Sequence, residues 1–335
     1  MRKPITISDI AIKLNISKST VSRALKDHPD VNPATKKKVK ALAEALDYEP
    51  NLLAASLAKK QSSLIGVILP EFNRAFFSNA LEGIQEVARR NGYSVIICQS
   101  NEDFELEVLN TRMLASNKVA GILMSLTLQT ADFRHLERLQ EKEIPFVLFD
   151  RVAEQIDCPK VTVDDFQGAY QITQHLISKG YQNIAHLSGP LNLSICKNRY
   201  NGFMAALSDA GRDIAKAQVY ECEHLKEDAY ASAKKLLQLG VPRPDAIFCV
   251  SDYVAFEAMR CIQDLGLRIP EDVALVGFTN DPATEYVTPR LTTMEQPARK
   301  IGETACEMLV KSLKEESDEH PHVILPTTFI ERSSS

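Results

Sequence analysis

The sequence predicts a protein in two parts: an all-α helix-turn-helix head with a hinge helix, joined to an α/β body of two doubly wound parallel-sheet lobes. Residues 1–60 contain twelve Lys and Arg against six Asp and Glu, a net charge of +6, whereas the remainder has 27 against 38, a net charge of −11. Short helical patterns fill the basic part, and two series of alternating strands and helices fill the acidic part. This charge distribution is expected when only the head approaches a polyanion.

The first head helix follows Thr6, which forms a capping-box pattern with Asp9. Its apolar positions have helical spacing and are Ile10, Ala11 and Leu14. We expect the helix to end at Asn15, because asparagine tolerates the left-handed backbone of a sharp corner. Ser17 then caps a second helix with the apolar side Val21, Ala24 and Leu25.

A third helix begins at Asn32 and Pro33, an N-cap followed by a first-turn proline. Three short helices can close one small core, and two interpretations follow. One is a helix-turn-helix whose second helix enters the major groove of DNA, and the other is a structural or protein-binding bundle. The basic charge and the position of Arg23 on the second helix favour DNA.

Residues 51–60 have an asparagine cap and helix-forming residues but no apolar face that could hold a ten-residue helix alone. We expect this hinge to be disordered without a partner. The alternative is a plain linker between two domains.

From Leu64 the body alternates strands with helices. The predicted strands are LIGVILP, SVIICQS, GILMS and PFVLFD, then VTVDD, IAHLSG, 217–221, AIFCV and VALVGF. The predicted helices are 77–91, 103–116, 131–142, 167–179, 198–210, 228–238 and 253–265. Such alternation is typical of parallel, doubly wound sheets, and two similar halves imply two lobes with a cleft between them.

The predicted domain boundaries follow from these patterns. The domains are a head at 1–48, a hinge at 49–61 and a body at 62–335, with a first lobe of about 62–161 and 293–322 and a second of about 162–292 and 323–335. The segments LTTMEQP and VILPTTFIE are expected to cross between the lobes, so neither lobe is one continuous piece of chain.

Several classes of protein are disfavoured. No run of about 18 apolar residues predicts a membrane span, and the start lacks the pattern of a signal peptide, so we expect a cytoplasmic protein. The seven cysteines are scattered and predict buried thiols rather than disulfides or a zinc site. Without nucleotide, esterase or zinc-protease motifs, the body is expected to bind rather than catalyse, with no cofactor and no metal.

The head and hinge resemble the lactose/galactose repressor family of bacterial transcriptional regulators. The resemblance rests on SKSTVSRAL and YEPNLLAASL, and Asn15 replaces the family's usual glycine at the corner. It implies that Lys18, Ser19 and Arg23 read base edges. It also implies further DNA contacts. In the head these are Thr6, Ser17, Thr20 and Ser22, which mainly contact phosphates, and in the hinge the contact is Asn51. Leu57 would wedge into the minor groove when the hinge folds on DNA.

The resemblance extends through the body, in the phrases LSGPLNLSICKNRYNGF, FCVSD, VALVGF and TPRLTTMEQP. It implies a fold like that of periplasmic sugar-binding proteins and a small-molecule effector, expected to be a carbohydrate, bound between the lobes. The implied effector contacts are Phe76, Phe77, Asp150, Arg199, His224, Ser251, Asp252, Thr279 and Asn280. Phe76 and Phe77 could instead belong to the core, Asp150 to a surface pair and Arg199 to its own lobe.

Two positions depart from the family. Thr279 replaces a common aspartate, and His224 often corresponds to an aromatic residue. A modified sugar, an oligosaccharide, a phosphorylated sugar and a nucleobase therefore all stay open as effectors. A homodimer on palindromic double-stranded operator DNA is expected, because one head buries too little surface for specificity. The rival hypotheses are a head fused to a sugar-metabolising enzyme and a solute-binding receptor.

Overall fold

The computed structural model describes residues 5–25, 27–48, 62–222, 226–239, 242–315 and 320–335. The chain divides into two compact units, Met1–Ser62 and Ser63–Ser335. The predicted hinge contacts Asn51 and Leu57 lie outside the described residues, as does the effector candidate His224.

The head contains three helices, which are α1 (Ile7–Leu14), α2 (Lys18–Leu25) and α3 (Pro33–Ala45). Four side chains at the centre of the head are fully buried: Ile10, Val21, Ala24 and Val39. Because each helix contributes at least one of them, the three helices share a single core, as the apolar spacing predicts.

The first lobe is built on a six-stranded parallel sheet with the order β11-β5-β4-β3-β1-β2. Its strands are β1 (Leu64–Leu69), β2 (Ser94–Gln99), β3 (Gly121–Met124), β4 (Phe146–Phe149), β5 (Lys160–Val163) and β11 (His322–Leu325). Its helices are α4 (Ala75–Arg90), α5 (Phe104–Ser116), α6 (Arg134–Glu141) and α11 (Ala298–Leu313). Strand β1 is buried along almost its whole length, as expected for the interior of a parallel sheet.

The second lobe has a four-stranded parallel sheet with the order β7-β6-β8-β9. Its strands are β6 (Ile184–Ser188), β7 (Gln218–Glu221), β8 (Ala246–Cys249) and β9 (Ala274–Val276). Its helices are α7 (Asp165–Ser178), α8 (Ser194–Asp209), α9 (Lys226–Leu239) and α10 (Asp252–Asp264). Short 3₁₀ turns lie at Ile214–Lys216 and Pro282–Glu285.

Three segments of chain connect the lobes. An antiparallel pair, β10 (Thr293–Glu295) with β12 (Thr328–Ile330), packs into the core of the second lobe through Met294 and Phe329. The chain therefore crosses between the lobes after Val163, after Glu295 and after Leu325. Each crossing lies two or three residues beyond the lobe boundary predicted from the sequence. The connection brings the carboxyl ends of both sheets to one cleft.

All seven cysteines are buried and free, which confirms the prediction of buried thiols. None of the described helices has both the length and the apolar character needed to span a bilayer.

Candidate DNA-reading helix and effector cleft

Local hydrogen bonds fix the corner before α2. Asn15 adopts a left-handed conformation with φ of 54° and ψ of 44°, which confirms the prediction that asparagine can replace glycine there. The Ser17 hydroxyl accepts a hydrogen bond of 3.0 Å from the amide of Thr20, so Ser17 caps α2 as predicted. The corner therefore sets where α2 starts.

Helix α2 has one buried and one exposed side. Val21 and Ala24 lie in the core, whereas Lys18, Ser19 and Arg23 are exposed. Neither Lys18 nor Arg23 forms an ion pair with any other part of the head that the structure describes. Two cationic side chains and a short hydroxyl thus share a face that can approach a polyanion.

Three of the predicted phosphate contacts already have partners within the head. The Thr6 amide and hydroxyl both donate to the Asp9 carboxylate, at 2.8 and 2.7 Å. The hydroxyls of Ser17 and Thr20 lie 2.8 Å apart. Ser22 is half-buried on α2. These groups are positioned by the fold before any ligand binds.

Most of the predicted effector residues lie around a cleft in the body. The cleft brings together Phe76, Phe77, Asp150, Arg199, Ser251 and Thr279. Phe76 and Phe77 start α4, where they line the cleft and also belong to the core of the first lobe. Asp252 and Asn280 do not line this cleft.

Asp150 follows β4 at the floor of the cleft, in a left-handed conformation with φ of 62°. Its side chain is buried, and the only hydrogen bond to it among the described residues is a long one of 3.3 Å from the Ser125 hydroxyl. Burial raises the pKa of Asp150, although the nearby arginines oppose this effect. A buried carboxylate with so few donors is a strong acceptor for a ligand.

Arg199 is held by its own lobe. Its guanidinium contacts the Asp165 carboxylate through Nε and Nη2, both at 2.7 Å, and Nη1 donates to the carbonyl of Val250 at 2.7 Å. The same group lies 3.8 Å from the ring centroid of Phe278. Arg199 therefore presents a fixed edge to the cleft, and its charge is already paired.

The Asp252 side chain connects neighbouring elements of the body through hydrogen bonds. Fully buried, its carboxylate accepts hydrogen bonds from the Thr293 hydroxyl at 2.6 Å and the Asp281 amide at 2.7 Å. These bonds connect α10 to the 279–281 loop and to β10. Thr279 in that loop has φ of 131°, a strained conformation for a β-branched residue, so the loop geometry depends on such external bonds.

Burial raises the pKa of Asp252 to about 6, above its ordinary value of 3.8. The folded protein therefore binds a proton at Asp252 more readily than the unfolded chain does. The resulting stabilisation of the fold is present at low pH and is lost as pH rises through about 6. Between pH 7 and pH 5, Asp252 should add on the order of 1 kcal/mol to the free energy of unfolding. Urea denaturation of the wild type and Asp252→Asn at both pH values checks this, because the variant should lack that gain. Equal pH dependence in the two proteins would contradict it.

The sequence analysis missed seven cleft residues: Ile195, Cys196 and Val250, and four with longer polar side chains, Arg74, Arg151, Tyr253 and Gln296. Arg151 directly follows Asp150, and Tyr253 directly follows Asp252, so adjacency was the available signal. Tyr253 donates to the Asp281 carboxylate at 3.0 Å and contacts the carbonyl of Asn73 at 3.4 Å, which links the two lobes. Arg74 lies 5.2 Å from the Tyr253 ring centroid.

Two of these cleft residues carry buried donors without partners. Arg151 Nη1 contacts both oxygens of Glu102 at 2.8 Å, but its Nε has no partner among the described residues. The Nε2 of Gln296 is likewise unpartnered within the described part of the chain. Buried donors of this kind are costly unless a ligand or water binds them.

Comparison with known proteins agrees with both units. Residues 6–51 match the model for bacterial regulatory proteins of the lacI family, and residues 62–333 match that for periplasmic binding proteins and the sugar binding domain of the LacI family. These matches confirm the family and the fold that the sequence motifs predicted.

Full-length relatives agree as well. Catabolite control protein A of Priestia megaterium is 33% identical over 99% of each chain, and the HTH-type transcriptional repressor PurR of Vibrio atlanticus is 32% identical over 98% of each. A structure of the Lac repressor dimer bound to operator and the anti-inducer ONPF has a TM-score of 0.87 and 26% identity over 99% of each chain. The chain belongs to the lacI family of bacterial regulatory proteins, and it is a DNA-binding transcriptional regulator with an effector-binding domain.

Proposed function

We propose that this regulator binds palindromic operator DNA as a homodimer in the cytoplasm and that it catalyses no reaction. Lys18, Ser19 and Arg23 contact base edges, a role supported by their exposure on one face of α2. The residues proposed to contact mainly the phosphates are Thr6, Ser17, Thr20 and Ser22, and Asn51 in the hinge is a further proposed DNA contact. Leu57 is the proposed minor-groove wedge.

The effector is proposed to be a carbohydrate, with Asp150, Arg199, Ser251 and Thr279 around it. The observation that carries this proposal is the buried Asp150 carboxylate, which has one 3.3 Å contact and stands in a cleft with unpartnered donors. A sugar hydroxyl both donates and accepts, so a ring with several hydroxyls satisfies both kinds of group. The rings of Phe76 and Tyr253 supply an apolar wall for the ring faces.

Effector binding is proposed to change the angle between the lobes. The cleft is formed by residues from both lobes, such as Asp150 and Arg199, so a ligand there favours one lobe angle over others. In a dimer this change moves the two hinges relative to each other and shifts the DNA affinity. Asp252 and Asn280 contribute by holding the loop that bears Thr279.

Screening the full-length protein by thermal shift against sugars, sugar phosphates and nucleobases tests the effector class. A ligand at a hundred times its Kd should stabilise the body by about 2.7 kcal/mol. Asp150→Asn should remove the stabilisation by the sugar, because an amide cannot replace both acceptor oxygens, whereas the exposed control Glu154→Gln should retain it. Binding of nucleobases only, or equal sugar affinity in Asp150→Asn, would contradict the proposal.

A further inference from the structure

A second cavity adjoins the effector cleft, and we call it the outer chamber. It has a volume of about 450 Å³ and lies between the starts of α4 and α11 and the 279–281 loop. The chamber shares Phe76, Thr279 and Gln296 with the cleft, so the two spaces meet at these side chains. The volume of the chamber is within the range of roughly 300–1,000 Å³ that is usual for small-molecule sites.

Gln296 stands where the two spaces meet. Its side chain is 7% exposed, and its Nε2 has no hydrogen-bond partner among the described residues. The residue directly follows β10, on one of the three crossings between the lobes. Because a buried amide without a hydrogen-bond partner is costly, a ligand acceptor that reaches it gains affinity.

The chamber wall contains further polar groups that are available to a ligand. Asn79 on α4 and Glu295 at the end of β10 line the chamber, and their side chains make no hydrogen bond or ion pair with the rest of the described chain. Arg299 is different, because its guanidinium contacts Glu82, Glu86 and Glu303 together. The free groups are thus one amide and one carboxylate, which suit hydroxyl groups.

The charge of the chamber excludes anionic ligands. Its lining has four acidic side chains against two basic ones, a net charge of −2: Glu82, Asp281, Glu295 and Glu303 against Arg299 and Lys300. A phosphate or carboxylate placed there would be repelled and would lose its hydration. In the cleft, Arg74, Arg151 and Arg199 are each paired with an acidic partner and offer no unpaired charge to an anion.

We infer that the outer chamber is a second subsite, which holds the next residue of a neutral oligosaccharide whose terminal residue occupies the cleft. This inference rests on the proposed function, because it names the class of the same effector. Gln296 contacts both residues of the sugar, and Asn79 and Glu295 contact the outer residue only. Since Gln296 lies on an inter-lobe crossing, the number of sugar residues in the ligand also affects the angle between the lobes.

The test uses isothermal titration of the full-length protein with mono-, di- and trisaccharides of β-1,4-linked glucose, α-1,4-linked glucose, β-1,4-linked xylose and β-1,4-linked mannose. In one series the disaccharide should bind at least tenfold more tightly than its monosaccharide. Asn79→Ala and Glu295→Gln should each lower the disaccharide affinity about three- to tenfold and leave the monosaccharide affinity unchanged, as expected for single hydrogen bonds. Gln85→Ala, an exposed change on the same helix, should alter neither affinity.

The outcomes separate the two proposals. A monosaccharide that binds as tightly as every longer member of its series overturns the second subsite and leaves the carbohydrate effector standing. If the 6-phosphate of one of these sugars binds more tightly than the sugar itself, the inference that the ligand is an uncharged oligosaccharide is also wrong. If no member of any series binds, both proposals are wrong.

Discussion

Replacing Arg199 by methionine should lower the free energy of unfolding of the body by about 3–5 kcal/mol. The substitution leaves the Asp165 carboxylate buried without the two 2.7 Å contacts that now compensate it. Burial already raises the pKa of Asp165 to about 6 against the opposing effect of Arg199, so losing the arginine raises it further. Urea denaturation followed by circular dichroism measures the loss.

A matched control uses the same change at an exposed pair. Arg268 contacts Asp272 at 2.9 Å, but its side chain is 70% exposed, so Arg268→Met should cost less than about 1 kcal/mol. The double variant Arg199→Met/Asp165→Leu should regain most of the stability lost in Arg199→Met, because it removes the orphaned charge. If Arg199→Met costs no more than Arg268→Met, the pair does not stabilise the body.

The elements of the head could be predicted because their signals are local. Ser17 and Asn32 cap helices through amides two or three residues away, and Asn15 takes its left-handed conformation within a single corner. In the body, buried strands and amphipathic helices alternate at spacings that a sequence displays directly. Five of the six strands of the first sheet and all four of the second therefore match predicted strands, with shifts of a few residues at their ends. Two assignments were wrong: VTVDD was expected to open the second lobe but forms β5 of the first sheet, and β11 was predicted only as part of a crossing segment, because neither sheet membership nor pairing between distant segments is a local signal.

The interior of the site could be predicted only in part, because it depends on pairs far apart in the chain. Asp252 was expected to face the effector, but its partners are Asp281 and Thr293, 29 and 41 residues away. The pairing of Arg151 with Glu102 spans 49 residues. A sequence places such residues at strand ends and does not say which of them satisfy one another and which stay available to a ligand.

Arg23→Ala in α2 should weaken operator binding by roughly 1–3 kcal/mol in each half-site, since one good bidentate contact to guanine has about this value. A symmetric dimer would lose both contacts, so affinity for the preferred site should fall by roughly two to four orders of magnitude. Selection from random DNA gives the preferred site, and fluorescence anisotropy at fixed salt measures the affinity. Arg23 is exposed and lies outside the core, so the head should keep its fold.

The pattern of the loss distinguishes reading a base from attracting a phosphate. Arg23→Ala should relax the preference at one base pair of each half-site and leave the other positions unchanged. Lys38→Ala removes the same charge from an exposed site on α3, and it should weaken binding to all sequences equally and reduce its salt dependence. If Arg23→Ala also weakened all sequences equally, its role would be electrostatic, and sequence reading would have to come from Lys18 and Ser19.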